Sequence, residues 1–414
     1  MPALWIRVNL VVACCLLAPL AVAEDWTQYR GPQGDGKSSE SIVENGKLRE
    51  VWKVPTELGF SSFVVAGGRA FTQVLIDGDE SLLALDADTG KTQWTTKLGP
   101  NDWRGGGDAG ARDNNGGDGP RSTPATDGQR VYTYDAHMVL SCFAAADGEL
   151  IWKHDIIDEY EGRNIKWHNA SSPVLDGDRI YVGGGGAGQS FLAFEKSTGK
   201  QLWTAGDEKV THATPVVTTI DGKKQVIFFA ESGLVSIDPS NGQELWRRKF
   251  NFSVSTAASP VVEGDLVYCS AGYGVGAGLF KINESPEVER VWLKPNKLMN
   301  HWSTPVVHDG HLYGIFEFKK YGRAPLNCVE LKTGEIKWSQ RGFGPGNCIL
   351  VGGKLVVLSD AGELVFADAT PDGYHETSRT DVLDGKCWST PAFSDGRIYI
   401  RSTVEGACLE LDAS

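Results

Sequence analysis

The sequence predicts an all-β chain folded as an eight-bladed β-propeller of four-stranded antiparallel blades. Three observations predict it. A tryptophan recurs after a turn, usually one containing glycine, at Trp52, Trp94, Trp152, Trp203, Trp246, Trp292 and Trp338, at spacings of about 42 to 58 residues. A phrase of small hydroxyl residues, proline and a short apolar run stands at the front of most repeats. The 414 residues include 50 glycines and 13 tryptophans but 3 methionines, and the apolar runs are short and broken by Gly, Asp and Asn. Repeats of this length with several short strands each are propeller blades, whose sheets bury both faces only by stacking on their neighbours.

Each repeat reads as four strands. The first follows phrases such as "RSTPATDG" from Arg121, "ASSPVLDG" from Ala170, "HATPVV" from His212, "ASPVVEG" from Ala258, "WSTPVVHDG" from Trp302 and "WSTPAFSDG" from Trp388. The Asp-Gly pairs suit a tight hairpin, because glycine tolerates positive φ. A second strand follows ("RIYVG", "HLYGI"), then a third ("LALD"), a turn ("DADTG") and a fourth strand carrying the tryptophan. The tryptophan is expected to dock across the gap to the next blade, its ring apolar and its N–H seeking an acceptor. Blades begin near Phe60, Arg121, Ala170, His212, Ala258, Trp302, Gly346 and Trp388. The seventh lacks its tryptophan. The eighth ends after three strands at "CLELDAS", and "LREVWKV" (Leu48 to Val54) supplies its fourth, closing the ring and removing exposed sheet edges.

Residues 1–23 read as a signal peptide, with Arg7, an apolar stretch through Leu20, and "AVA" at Ala21 to Ala23 for cleavage before Glu24. Residues 24–47 form an N-terminal extension and residues 48–414 the propeller. After residue 24 there is no apolar run of about 18 residues, so no transmembrane span is expected. A net charge of -13 without a basic run argues against nucleic acid and anionic membrane surfaces.

Export permits disulfides. Cys348 and Cys387, near the starts of consecutive repeats, are the disulfide candidates. Cys142, Cys328 and Cys408 take the place that Ala84 and Ala193 hold in other repeats, which reads as a small buried core residue. No Cys-x-x-Cys occurs in the mature chain, and no metal site is expected.

The repeat "TP-x-x-x-DG … LxALDxxTGKxxW" resembles that of the pyrroloquinoline quinone (PQQ) propeller superfamily, over roughly residues 48 to 412. "DWTQYRGPQGDG" (Asp25 to Gly36) resembles the opening of exported bacterial members of this repeat group. The superfamily includes quinoprotein alcohol dehydrogenases. It also includes a non-catalytic branch, such as the lipoprotein propeller of the outer-membrane barrel assembly machine. The resemblance implies the fold more firmly than any activity, because the tryptophan motif joins blades in both branches. A dehydrogenase would need an aromatic floor, cations for the cofactor carboxylates, calcium on carboxylate and amide oxygens, and a carboxylate base. Many such enzymes add a vicinal disulfide, and this mature chain has no adjacent cysteines and no Cys-x-x-Cys-His haem motif.

Residues just before the hydroxyl-proline phrases are expected to ring one mouth of the axial channel. They are Arg121, His168, Asn169, His212, His301, Trp302 and Trp388, a candidate site for an anionic aromatic or a sugar, or else a plug that satisfies loop carbonyls. The Gly99–Arg121 insertion, rich in Gly, Asp and Asn, is a candidate lid or partner contact. Its Asp102, Asp108, Asp113 and Asp118 lack the spacing of an EF-hand or a calcium-binding repeat. "GGGGAG" (Gly183 to Gly188) is no dinucleotide fingerprint, since strand and not helix follows.

The preferred reading is an exported, monomeric propeller serving as a non-catalytic binding or scaffold module in the periplasm or envelope. Its expected partner is an envelope protein or a small ligand at the rim. The alternative is a PQQ- and calcium-dependent dehydrogenase of alcohols or sugars, with Arg121 on a cofactor carboxylate and Trp302 or Trp388 on the ring. A third reading is a carbohydrate-binding propeller.

Overall fold

The structure, a computed structural model, describes residues 24–43, 46–101, 119–165, 167–250, 256–283, 288–317 and 324–412. The expected signal peptide and most of the Gly99–Arg121 loop lie outside them. Eight antiparallel blades are present, and almost no helix. Blade 1 comprises Val64–Ala66, Arg69–Ile76, Asp79–Asp86 and Thr92–Pro100. The inner strands of blades 2 to 8 are Ala125–Thr126, Val174–Asp176, Val216–Ile220, Val261–Glu263, Val306–His308, Asn347–Val351 and Ala392–Ser394.

The repeated phrase has a geometric cause. In blade 2, Tyr132, Cys142 and Trp152 stand side by side on three adjacent strands, and the outer two rings meet at 6.0 Å over the small residue between them. The row recurs as Tyr181–Ala193–Trp203, Tyr313–Cys328–Trp338 and Phe71–Ala84–Trp94, with ring separations of 5.9, 6.0 and 5.9 Å. Cross-strand neighbours on one face lie within about 5.5 Å, so two large rings need a small residue between them.

The tryptophan N–H then crosses to the next blade. Trp52, Trp94, Trp152, Trp203, Trp292 and Trp338 donate to the carbonyls of Ala87, Ala145, Lys196, Pro239, Leu331 and Thr370 at 2.7–3.1 Å, all in the turn before the neighbour's outer strand. The turn glycine seats the indole. Gly148 has φ +75°, and a Cβ there would fall 2.6 Å from Trp94 Cε3; Gly199 bears the same relation to Trp152, at 2.7 Å. Trp246 departs from the pattern. The sequence between the third and fourth strands of blade 5, "NESPEV", contains no glycine, and Trp246 Nε1 donates instead to Gln225 Oε1 of its own blade at 2.7 Å.

The hydroxyl-proline phrase forms an inner girdle. The backbone N–H of Thr390 donates to Ser62 Oγ, Ser62 to Thr123 Oγ1, Thr123 to Ser172 Oγ, and Ser172 to Thr214 Oγ1, at 2.9–3.0 Å. Ser259 continues it to Thr304 Oγ1 at 3.0 Å. The girdle is broken between blades 4 and 5, where Ser259 Oγ is buried without a hydrogen-bond partner, and again at blade 7, whose Pro345-Gly346-Asn347 supplies no hydroxyl.

Lys47–Pro55 pairs antiparallel with Glu405–Asp412 and closes the ring as the outer strand of blade 8. A buried arginine reinforces the seam. Arg401 donates to Thr72 Oγ1, Gln73 O and Glu57 O at 2.7–2.9 Å, joining blade 8 to the chain of blade 1.

Cys348 and Cys387 are not bonded to each other; all six described cysteines are buried free thiols. Closeness of the two in blade order does not bring their side chains together. Cys348 packs in the core between blades 6 and 7, with Sγ toward Tyr313 O, and Cys387 packs in the core shared by blades 7, 8 and 1.

Candidate functional site

The candidate residues do converge, at the end of the axis where the inner strands begin. One half of the mouth is aromatic. Phe60 stacks on Trp388 (5.0 Å, 22°), Trp388 packs on Trp302 (4.5 Å, 35°), Trp302 on His301 (5.2 Å) and His301 on Tyr273 (4.8 Å). Lys386 Nζ lies 5.2 Å from the Trp388 ring centre, a cation–π contact. The arc thus draws on blades 1, 8, 6 and 5.

The other half is polar and bonded to itself. Arg121 Nη1 donates to Trp167 O at 2.5 Å, and His212 Nε2 donates to His168 O at 2.8 Å. Trp302 Nε1 donates to Pro345 O at 2.9 Å. Asn169 is wholly committed: its amide reaches the carbonyls of Tyr134, Asp135 and Ser171, and its Oδ1 accepts from Ser171 N–H. His168 has φ +59°, which turns its carbonyl toward blade 4. Burial, aided by the Arg121 cation, pushes His212 down to about 3, and burial pushes His301 down to about 4, so both imidazoles are neutral near neutrality.

Two buried carboxyls, Glu80 and Asp135, lie close enough to feel each other's charge, and Glu80 also feels the Arg121 cation. Glu80 accepts from Ala136 N–H at 3.0 Å, and Asp135 accepts from His137 and Val139 N–H at 2.9 Å. Burial first and the Asp135 charge second raise Glu80 to about 8, and burial raises Asp135 to about 6. Neither was marked by the sequence, because "DGDES" reads as an ordinary hairpin. Phe60 was legible: it precedes Ser61-Ser62 as Trp388 precedes Ser389-Thr390.

These residues do not fit a quinone and calcium. Trp388 already has Phe60, Trp302 and Lys386 about its ring, which leaves little open face for a flat cofactor. The Asn169 oxygen is taken by backbone, and Glu80 and Asp135 are held by backbone amides. Among the described residues no three His, Cys, Asp or Glu side chains are placed to hold a metal ion.

A sequence model of the family described as outer membrane protein assembly factor BamB matches residues 78–340. The chain belongs to this family. A BamB of Shewanella oneidensis is 20% identical over 290 residues, covering 66% of this chain and 70% of that protein. The BamB of Moraxella catarrhalis superposes with a TM-score of 0.61 at 13% identity, covering 89% of this chain and 99% of that one. The quinohemoprotein alcohol dehydrogenase ADHIIG of Pseudomonas putida superposes with a TM-score of 0.67 at 11% identity, covering 94% and 80%. Likeness at such identities speaks of the fold alone. No helix of the described residues in this BamB-family chain is long and apolar enough to cross a membrane.

The second feature of the axis is the BamB-family chain's N-terminal extension, which crosses the end where the inner strands finish. Val65 N–H donates to Trp26 O, Thr126 N–H to Thr27 O, and Leu175 N–H to Gln28 Oε1. Arg30, in the left-handed region at φ +65°, is buried and donates to Thr304 O, Pro305 O and Asp35 O at 2.8–2.9 Å. Lys37–Ser38 then adds to blade 7 as a fifth strand, parallel to Asn347–Val351. Glu40 accepts from Asp395 and Gly396 N–H of blade 8. The "RGP" phrase is thus a turn that sends one guanidinium into the axis.

Proposed function

We propose that this chain is an exported, non-catalytic protein-binding module of the periplasm, acting in outer-membrane protein assembly as its named relatives do. The rim is its docking surface, and its partner is an envelope protein. One observation carries the reading: Arg121 Nη1, the Asn169 amide, His212 Nε2 and Trp302 Nε1 all donate to carbonyls of the loops around them. Such a rim is a rigid surface and not a reactive pocket. Half-exposed Tyr273 (48%) and Trp167 (37%) stand on it, the residue types that anchor protein interfaces. Membership of the BamB family supports the same reading.

The test is site-specific photocrosslinking from Tyr273 and Trp167 in intact envelopes, followed by identification of the products. A crosslink to an outer-membrane assembly protein, lost when the second aromatic is changed to Ala, is the expected result. No such crosslink, together with saturable binding of PQQ plus calcium and dye-linked alcohol oxidation, would overturn the reading in favour of the dehydrogenase.

A further inference from the structure

We infer that the inner edge of blade 4 is a second binding site, at the opposite end of the axis from the rim, which takes an extended polypeptide segment as an added strand. Three features meet there.

The N-terminal extension touches blades 1, 2 and 3 through Trp26, Thr27 and Gln28, then crosses to blades 6, 7 and 8 through Arg30, Lys37–Ser38 and Glu40. Blades 4 and 5 receive none of these bonds. In that gap lies a cavity of about 450 Å³, within the range of ordinary binding pockets (~300–1,000 Å³). Its walls are the extension from Gln28 to Asp35 and the inner strands of blades 3, 4 and 5.

The wall contributed by blade 4 is an open strand edge. Val216–Ile220 has five residues, as does Asn347–Val351 of blade 7, while the other six inner strands have two or three. Blade 7 already shows what such an edge accepts, since Lys37–Ser38 pairs with it. Among the described residues no strand pairs with the free edge of Val216–Ile220. A sheet edge carries a row of backbone donors and acceptors that an extended chain satisfies, whatever its side chains.

Two residues of the cavity wall each hold a buried side-chain atom without a hydrogen-bond partner, and neither atom is open to the cavity. Ser259 Oγ stands where the hydroxyl girdle is broken between blades 4 and 5, and Arg30 Nε is the one guanidinium nitrogen that bonds no carbonyl. The lining prolines, Pro173, Pro215 and Pro260, add apolar surface without competing donors. The mouth carries the Lys224–Asp176 ion pair (2.5 Å), so backbone, not charge, is the feature recognised.

The probe is a capped octapeptide of alternating Val and Thr, with two analogues N-methylated at either alternate set of amides. Hydrogen exchange of the full mature protein is read at residues 216–220. The parent peptide is expected to slow alternate amides of this strand by about tenfold or more, and one N-methylated analogue is expected to lose that effect. Gln33→Trp places a bulky ring on the exposed part of the extension beside the cavity; it is expected to abolish protection while leaving the melting temperature unchanged. Trp167→Ala and Tyr273→Ala, at the rim, should leave it intact, so this site and the rim reading fail separately. Unchanged exchange at 216–220, equal binding of both N-methylated analogues, or equal binding by Gln33→Trp would overturn the proposal.

Discussion

Trp52 and Cys408 stand opposite each other in one antiparallel ladder, although they are 356 positions apart in the chain. Tyr399, on the strand beyond Cys408, meets the Trp52 ring at 6.1 Å, and Trp52 Nε1 crosses to Ala87 O of blade 1 at 2.8 Å. The two ends of the chain therefore rebuild the aromatic–small–tryptophan row found within single repeats, and that row is the closing seam.

The seam should respond to volume. Cys408→Ala keeps the space small and is expected to cost little. Cys408→Leu forces a branched side chain between Tyr399 and Trp52 and is expected to cost about 1–3 kcal/mol. Denaturant titration followed by tryptophan fluorescence separates the two; equal stability would show that the row tolerates bulk.

The turn glycines should be less replaceable than their flexible setting suggests. Gly148→Ala meets both a positive φ and the Trp94 ring, so it is expected to lose more than about 1 kcal/mol. Gly128→Ala has φ +82° but open space, and should cost less. Equal melting temperatures for the two variants would remove the seating role.

Stability should fall as pH rises from about 4.5 to about 8 because of Glu80. The folded protein holds this proton to about pH 8, whereas the unfolded chain releases it near 4.5, so the native state binds more protons across that window. Stability is then full below the window and declines as pH rises through it, by up to about 1.4 kcal/mol per pH unit. His212 acts in the opposite sense from about 3 to 6.5, and is silent above that. Glu80→Gln should therefore flatten the decline between pH 6.5 and 8, measured by urea midpoints. A variant as steep as the parent protein would exclude Glu80 as its source.

Six thiols should be present and hidden. Alkylation without reductant is expected to label none of Cys142, Cys269, Cys328, Cys348, Cys387 and Cys408 in the native protein and all six after denaturation. A mass two units lower with Cys348 and Cys387 unlabelled would restore the disulfide.

The reading of the fold came from what repeats. Each blade makes the same local bonds, so the same residue types return at the same places: a small residue between two rings, a glycine under an indole, a hydroxyl in the inner girdle. Even the departures were written locally, since "NESPEV" in the fifth repeat lacks the glycine that stands there in most other repeats. The rim was half legible. Its members share one position in the repeat, which told that Arg121, His168, His212, His301, Trp302 and Trp388 gather, but not that they bond to one another's loops.

The sequence by itself determined the eight blades, the seam and the circle of rim residues, because each follows from short-range patterns repeated around a closed ring. Only the tertiary structure decided where the single-copy parts lie. Arg30 reaches Thr304, and Glu80 of blade 1 accepts from Ala136 N–H of blade 2, through contacts that occur once and leave no periodic trace. The cavity beside blade 4 is of the same kind: it exists because one strap crosses the axis on one side, a choice set by non-local packing and not by any local run of residues.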